Sequence, residues 1–87
     1  MSPTEQLGRN VFMARRRLGL SQETLAIFAG LHRTEIGLLE QGKREPKLTT
    51  ILKLLRALGA EPNDLLLGLK LEKPKPKPQS RGGQGDQ

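Results

Sequence analysis

Apolar side chains recur at helical spacing near both ends of the first 60 residues. Residues 5–18 carry Leu7, Val11, Ala14 and Leu18 at that spacing. Residues 48–58 place five apolar side chains on one face, namely Leu48, Ile51, Leu52, Leu55 and Leu58. Gly19 and Gly59 follow these stretches and are suited to left-handed helix ends. The pattern predicts a first and a fourth helix with these bounds.

Two shorter helices are predicted between them. Ser21 is a good N-cap for the second helix, although Thr24 stands where a full capping box has Glu or Gln. Gly30 ends this helix, whose buried stripe is Leu25, Ala26 and Ala29. The third helix is predicted from about Arg33 to Gln41, with Ile36 and Leu39 facing inward.

A brief fifth helix is predicted in "EPNDLLLG", because Pro62 suits the first helical position and Asp64 the first turn. The following "GLKLE" alternates, which fits either a short strand or the end of that helix. No other stretch has a convincing strand pattern. We therefore predict an all-α fold, a compact bundle of five short helices.

The composition changes after residue 72. Residues 1–72 form the predicted domain, whereas residues 73–87, "KPKPKPQSRGGQGDQ", combine proline-spaced lysine with glycine and glutamine. Such a sequence buries no core, so we expect a disordered basic tail with polyproline II character at its start. A solubilising terminus and a DNA-touching arm both remain open for it.

The inventory of reactive side chains is short. The chain has no cysteine and one histidine, so thiolate metal sites, cysteine nucleophiles and histidine clusters lack their parts. No paired carboxylates or phosphate-binding glycine loop stand out, and we expect no enzyme, no metal and no cofactor. The N-terminus lacks a signal pattern and no apolar run suggests a membrane span. We expect a soluble cytoplasmic protein, associated with the nucleoid when bound to DNA.

The charge balance favours an anionic partner. Net charge is +6 and the sequence pI is about 10.3, which is typical of small nucleic-acid-binding domains. Two Phe and no Trp or Tyr leave few aromatic surfaces on which single-stranded bases stack. Double-stranded DNA is therefore the expected partner.

Four segments match a known family in the family's order: "LGLSQETLA", "AGLHRTEI", "LEQGKREP" and "LLRALG". Over roughly residues 7–67 the chain resembles the Cro/repressor-type helix-turn-helix (XRE) family of DNA-binding transcriptional regulators. The resemblance implies a lambda-repressor-like domain in which the second and third helices form the helix-turn-helix. It also implies that the third helix enters the major groove with its N-terminal residues at the base edges.

Site residues follow from the resemblance by position. The base-contacting candidates are His32, Arg33, Thr34 and Leu38. Arg33 is the foremost, because a guanidinium can bond guanine O6 and N7 together, worth roughly 1–3 kcal/mol of discrimination. His32 could instead cap the third helix. The phosphate-contacting candidates are Ser21, Gln22, Gln41, Lys43 and Arg44; for the last two, loop solubility is an alternative.

The resemblance also pairs Arg15 with Glu40 in a structural salt bridge between the first and third helices. Two positions depart from the family. Leu38 replaces a polar or basic side chain and would pack on a thymine methyl or make no base contact. Glu35 would repel phosphate unless it pairs with Arg33 or accepts from a cytosine amine.

Two groups of apolar residues exceed what one small core needs. Ile27 and Phe28 point away from the stripe of the second helix, and either the first helix or the N-terminus covers them or they bind a partner. The C-terminal leucines are the other group: Leu66, Leu67, Leu69 and Leu71. They form a dimer surface, or else Leu65 and Leu66 complete the core and the rest are simply exposed.

These expectations combine into one function and one alternative. The first is a homodimeric, sequence-specific transcriptional regulator of a near-palindromic operator, autoregulatory in the manner of restriction–modification controller proteins, which the "GLHRT" segment resembles. The alternative is an antitoxin-like or co-regulator module that binds a partner protein through Ile27 and Phe28 or the C-terminal leucines.

Overall fold

The computed structural model describes residues 1–71, in which five helices and no strand occur. The helices are α1 (Pro3–Arg17), α2 (Gln22–Ala29), α3 (Arg33–Glu40), α4 (Leu48–Leu58) and α5 (Pro62–Leu66). The all-α prediction is confirmed. Residues 67–71 form a turn and irregular chain, so both interpretations of "GLKLE" fail over that stretch. The predicted tail, residues 73–87, lies outside the described residues.

The starts of α1 and α2 are set by serine caps. The Ser2 hydroxyl accepts from the Glu5 amide at 3.1 Å, while the Glu5 carboxylate accepts from the Ser2 amide at 2.9 Å. This capping box starts α1 two residues earlier than the apolar spacing predicted. These contacts lower the pKa of the Glu5 carboxyl. The hydrogen bond from the Ser2 backbone amide contributes most, and the Ser2 side chain contributes next. The Ser21 hydroxyl accepts a hydrogen bond from the Thr24 amide at 3.0 Å and so caps α2. The capping box of α2 is incomplete, as predicted.

All five helices contribute to one core. Its buried apolar residues are Leu7, Val11, Leu25, Ala26, Ala29, Ile36, Leu39, Leu54, Leu58 and Leu65. The predicted stripe of the second helix is confirmed in full. Of the first-helix set, Leu18 was wrongly placed, because α1 ends at Arg17 and leaves Leu18 54% exposed at its C-cap.

The predicted face of the fourth helix is rotated away from the observed one. Leu48 and Leu52 are 71% and 53% exposed, whereas Leu54 is fully buried, with Thr50 and Leu58 on the same face. Apolar residues cover more than half of the circumference of α4, so their spacing alone could not show which edge of the stripe meets the core. Leu48 and Leu52 therefore form an exposed apolar ridge on α4 that does not pack into the core.

The third helix is held close to the first by a glycine. A Cβ on Gly8 would overlap the carbonyl oxygen of Leu39 and approach that of Glu40. Gly8 therefore lets the backbone of α1 lie directly against the C-terminal end of α3. This contact fixes the depth at which α3 sits in the bundle.

Candidate nucleic-acid interface

The turn between α2 and α3 is a tight three-residue connection. Gly30 adopts a left-handed conformation (φ 70°), and the Leu31 amide donates to the Ala26 carbonyl at 2.8 Å. Ile36 and Leu39 on α3 are buried in the same core as the stripe of α2. The apolar side chains thus anchor α3 along one face and leave its N-terminal end at the surface.

That end carries polar side chains exposed to solvent. His32, Arg33 and Thr34 are all exposed. His32 occupies the N-cap position (φ −86°, ψ 146°), but its side chain makes no capping hydrogen bond. The alternative in which the His32 side chain caps the helix is therefore wrong. The free amides at the start of α3 remain available for a partner.

One shallow depression brings together residues of α2 and α3. It is lined by Gln22, Arg33, Thr34, Gly37, Leu38 and Gln41. Five of these six were candidates from the sequence, and they come from both the base-contacting and the phosphate-contacting sets. We call this surface the α3 depression. Gly37 is the member that the sequence reasoning missed, because a glycine has no side chain to suggest contact.

His32 lies on a different surface from the α3 depression. It lines a polar groove with Glu35, Arg44 and Lys47, between the start of α3 and the start of α4. The Arg15–Glu40 pair is the one salt bridge among residues 1–71, so Glu35 does not pair with Arg33 there. Glu35 is half-buried at this groove, away from the α3 depression.

Basic side chains flank the groove. Lys43 and Arg44 are exposed in the loop after α3, as expected for phosphate contacts or solubility. Lys47 is also exposed, at the N-cap of α4. Lys47 follows Pro46 and precedes an apolar run, and nothing in the sequence pattern singled it out. A cation at this helix start adds to the positive charge beside α3.

A buried ion pair fixes the C-terminal end of α3. The Glu40 carboxylate accepts hydrogen bonds from Arg15 Nε at 2.7 Å and from Arg15 Nη2 at 3.0 Å. The side chains are 8% exposed for Arg15 and 5% exposed for Glu40. Arg15 Nη1 donates to the Leu20 carbonyl at 2.8 Å, and the Phe12 ring centroid lies 5.3 Å from its Cζ. The structural salt bridge that the resemblance implied is therefore present, and both of its side chains are largely buried.

Gln22 extends this pair to the second helix. Its Nε2 donates to Glu40 Oε1 at 3.0 Å, so one carboxylate links α1, α2 and α3. We call Arg15, Gln22 and Glu40 the ion-pair cluster. Gln22 is half-buried and also lines the α3 depression. Its amide nitrogen has a second N–H that remains for a phosphate.

The two sets of surplus apolar residues lie in different environments. Ile27 and Phe28 are 70% and 56% exposed, so no part of residues 1–71 covers them and the larger-core alternative is wrong for the described chain. Leu65 does complete the core, whereas Leu66, Leu67 and Leu71 are exposed and Leu69 is half-buried. The second alternative therefore holds for Leu65 and Leu71 but fails for Leu66 and for Leu69, which packs against the core.

The C-terminal leucines border an apolar groove. It is lined by Pro3, Thr4, Leu7, Glu45, Pro46, Ile51, Leu66, Leu69 and Leu71. Leu67 and the exposed ridge residues Leu48 and Leu52 add further apolar surface on α4 and after α5.

Residues 1–71 contain no helix long and apolar enough to cross a membrane.

Comparison with known proteins gives a consistent picture. The profile of the helix-turn-helix family matches residues 12–65. The control protein C.SmaI of Serratia marcescens is 43% identical over 74 residues, covering 83% of this chain and 88% of that protein. The control protein C.BamHI of Bacillus amyloliquefaciens is 49% identical over 47 residues, which span 54% of this chain and 58% of the relative.

Solved structures agree. The restriction-modification controller protein C.AhdI from Aeromonas hydrophila superposes with a TM-score of 0.69 at 44% identity, covering 71% of this chain and 94% of that one. A hypothetical transcription factor from Neisseria, NHTF, superposes with a TM-score of 0.72 at 35% identity, covering 76% of each chain.

An anchored third helix with an exposed polar tip, beside a basic loop, defines a DNA-binding protein of the helix-turn-helix class. The chain belongs to the Cro/repressor-type (XRE) helix-turn-helix family. Members of this family are DNA-binding transcriptional regulators and not enzymes, and this chain is such a regulator.

Proposed function

We propose that this regulator reads a near-palindromic operator as a homodimer and controls the genes of a restriction–modification system, its own gene among them. The observation that carries the proposal is the α3 depression, where base-contacting and phosphate-contacting candidates share one surface. The likeness to C.SmaI, C.BamHI and C.AhdI, which are named as control proteins, supports the choice of target genes. Such a regulator acts in the cytoplasm, where its operator lies.

Arg33 and Thr34 are the proposed base readers. Both are exposed at the first turn of α3, and both line the α3 depression with Leu38. Arg33 would donate to guanine O6 and N7, and Thr34 would donate to a base edge or pack its methyl on thymine. Leu38 is half-buried and would contact a thymine methyl. His32 would meet the duplex only from the neighbouring groove, at its edge.

Phosphate contacts would set the register of α3 in the groove. Ser21 and Gln22 are at the start of α2, where the amides of the first helical turn favour an anion. Gln41, Lys43 and Arg44 follow α3, and Lys47 joins them from the start of α4. Cations and amides on either side of α3 would clamp the duplex backbone at both edges of the contacted groove.

The homodimer is proposed to form through the apolar groove and the C-terminal leucines. Leu66, Leu67 and Leu71 expose 43%, 72% and 85% of their surfaces, and Leu69 lines the groove between them. A two-fold pairing would cover these side chains in both copies. It would also place the two copies of α3 in successive major grooves, about 34 Å apart.

A second candidate function rests on Ile27 and Phe28. Two adjacent apolar side chains that expose 70% and 56% of their surfaces at the end of α2 are unusual beside a DNA-binding helix. We propose them as the contact for a partner protein, as in an antitoxin-like or co-regulator module. Such a contact is compatible with DNA binding, because these side chains do not line the α3 depression.

Selection of bound duplexes from a randomised pool tests the leading proposal. We expect enrichment of an inverted repeat whose half-sites are one helical turn apart, with a match upstream of the protein's own gene. A matched selection with Ile27→Ser/Phe28→Ser should enrich the same repeat. Enrichment of a single half-site would refute the dimer, and no enrichment by folded protein would refute sequence-specific reading and favour the partner-binding function.

A further inference from the structure

The short helix α5 has its C-terminal carbonyl groups satisfied by a side chain from α1. Asn10 Nδ2 donates to the Leu65 carbonyl at 2.7 Å and to the Leu67 carbonyl at 2.8 Å. Gln6 Nε2 donates to Asn10 Oδ1 at 3.0 Å and so fixes the orientation of the amide. The Asn10 side chain therefore joins α1 to two residues, Leu65 and Leu67, that lie 55 and 57 positions later in the sequence.

The chemistry of this contact is specific to an amide. Asparagine offers two N–H donors, and both are used on carbonyl oxygens, while its own oxygen accepts from Gln6. An aspartate of the same shape has no donor when ionised and would set a negative charge against two carbonyl oxygens. A serine offers one donor on a shorter side chain.

The contact determines the path of the chain that carries the exposed leucines. After α5, Leu67 leaves the helix (ψ 127°), Gly68 adopts φ 81°, and the Leu69 amide returns to the Leu66 carbonyl at 3.1 Å. Asn10 binds the carbonyls on both sides of Leu66. The directions in which Leu66 and Leu67 point therefore depend on Asn10, which is not one of the C-terminal leucines.

We propose that Asn10 is a positioning residue for the subunit interface, holding the C-terminal leucines in the arrangement that a second copy recognises. This role rests on the proposed homodimer. Asn10 is on α1 and does not line the α3 depression, so its effect on DNA is exerted through dimerisation alone.

The test compares Asn10→Asp with wild type by sedimentation equilibrium. We expect the dimer dissociation constant of Asn10→Asp to rise by about tenfold or more, because the part-buried Leu65 carbonyl and the exposed Leu67 carbonyl both lose their donor. Ser21→Ala removes the cap of α2 and serves as the control for general destabilisation. It should lower the melting temperature without changing the dissociation constant. Binding of Asn10→Asp to a duplex with one half-site should match wild type.

The outcomes separate the two proposals. Wild type that stays monomeric at all concentrations refutes the homodimer, and this role with it. Wild-type dimers accompanied by an unchanged dissociation constant for Asn10→Asp refute the role of Asn10 alone. If Asn10→Asp does not fold, Asn10→Ser is the second variant. It keeps one donor, so its dissociation constant should lie above wild type, and a value equal to that of Ser21→Ala contradicts the proposal.

Discussion

Gly8 and Gly37 are both helical glycines, yet their surroundings differ. A Cβ on Gly8 would overlap the backbone of α3 at Leu39, which has no flexible group to move aside. A Cβ on Gly37 would lie 3.8–4.0 Å from the side-chain amides of Gln22 and Gln41, which is ordinary contact. Gly8 is therefore required by packing, whereas Gly37 only weakens α3 through its backbone freedom.

This contrast predicts opposite effects of one added methyl group. Gly37→Ala should raise the free energy of unfolding by about 0.5–1 kcal/mol, because alanine is the better helix former. Gly8→Ala should lower it by about 1–3 kcal/mol, because α1 and α3 must move apart. Urea denaturation of the two variants beside wild type measures both. Destabilisation by Gly37→Ala would show that the α3 depression has less room than its geometry indicates.

Individual residues were predictable from sequence where their cause is local. Ser21 as a cap and Gly30 in a left-handed turn follow from their neighbours in the chain. Gly8 and Asn10 do not, because their partners lie about 30 and 55 positions away and only the packed bundle brings them together. Among the residues of the α3 depression, the five with side chains were found and the glycine was not.

The helix-turn-helix is fixed at both ends. The turn at Gly30 joins the end of α2 to the start of α3, and the Gln22–Glu40 hydrogen bond joins the start of α2 to the end of α3. The angle between the two helices therefore depends on a polar contact as well as on the apolar core. Gln22 has a second role beyond the phosphate contact expected from sequence.

Replacing Gln22 by methionine tests that role. Gln22→Met keeps the size of the side chain but removes the donor to Glu40, so the free protein should lose about 1 kcal/mol of unfolding free energy. Binding to the operator should weaken more than binding to an unrelated duplex, because α3 is less well oriented. Calorimetry and DNA titrations measure the two effects.

Gln41→Met is the matched control, since Gln41 lines the same depression at the end of α3 and is exposed. It should leave stability unchanged. If Gln22→Met also leaves stability unchanged and weakens binding to all duplexes equally, Gln22 acts as a phosphate contact only.

At the scale of helices, the sequence pattern predicted the number, order and type of the elements. It did not predict the rotation of α4 about its own axis. Cap and stop residues such as Ser21, Gly30 and Gly59 separate the helices clearly. In α4 the stripe is too wide for spacing to select an edge, and Leu54 rather than Leu52 is buried. Sequence periodicity gives a helix its apolar face, but packing against α2 decides the rotation.

At the scale of the whole molecule, the α3 depression and the apolar groove share no residue. The α3 depression and the polar groove beside it carry Arg33, Arg44 and Lys47, and the polar groove meets the apolar one only at Glu45 and Pro46. This separation allows one surface to bind DNA while another binds a second copy. Residues 73–87 add three lysines to the charge of the chain.

A chain lacking residues 73–87 should keep its base preference. It should show a shallower dependence of affinity on salt, because Lys73, Lys75 and Lys77 would contribute only counterion release at phosphates. Titrations of one operator between low and near-physiological salt measure the slope. A changed preferred sequence would contradict this prediction, and an unchanged slope would favour a purely solubilising terminus.

Base reading from the tip of α3 depends above all on Arg33. The most direct measurement is a cycle in which wild type and Arg33→Ala are each titrated with the selected operator and with a duplex whose proposed guanine is replaced. We expect Arg33→Ala to lose about 1–3 kcal/mol on the operator and almost nothing more on the replaced duplex. Equal losses on both duplexes would show that Arg33 contacts phosphate and reads no base.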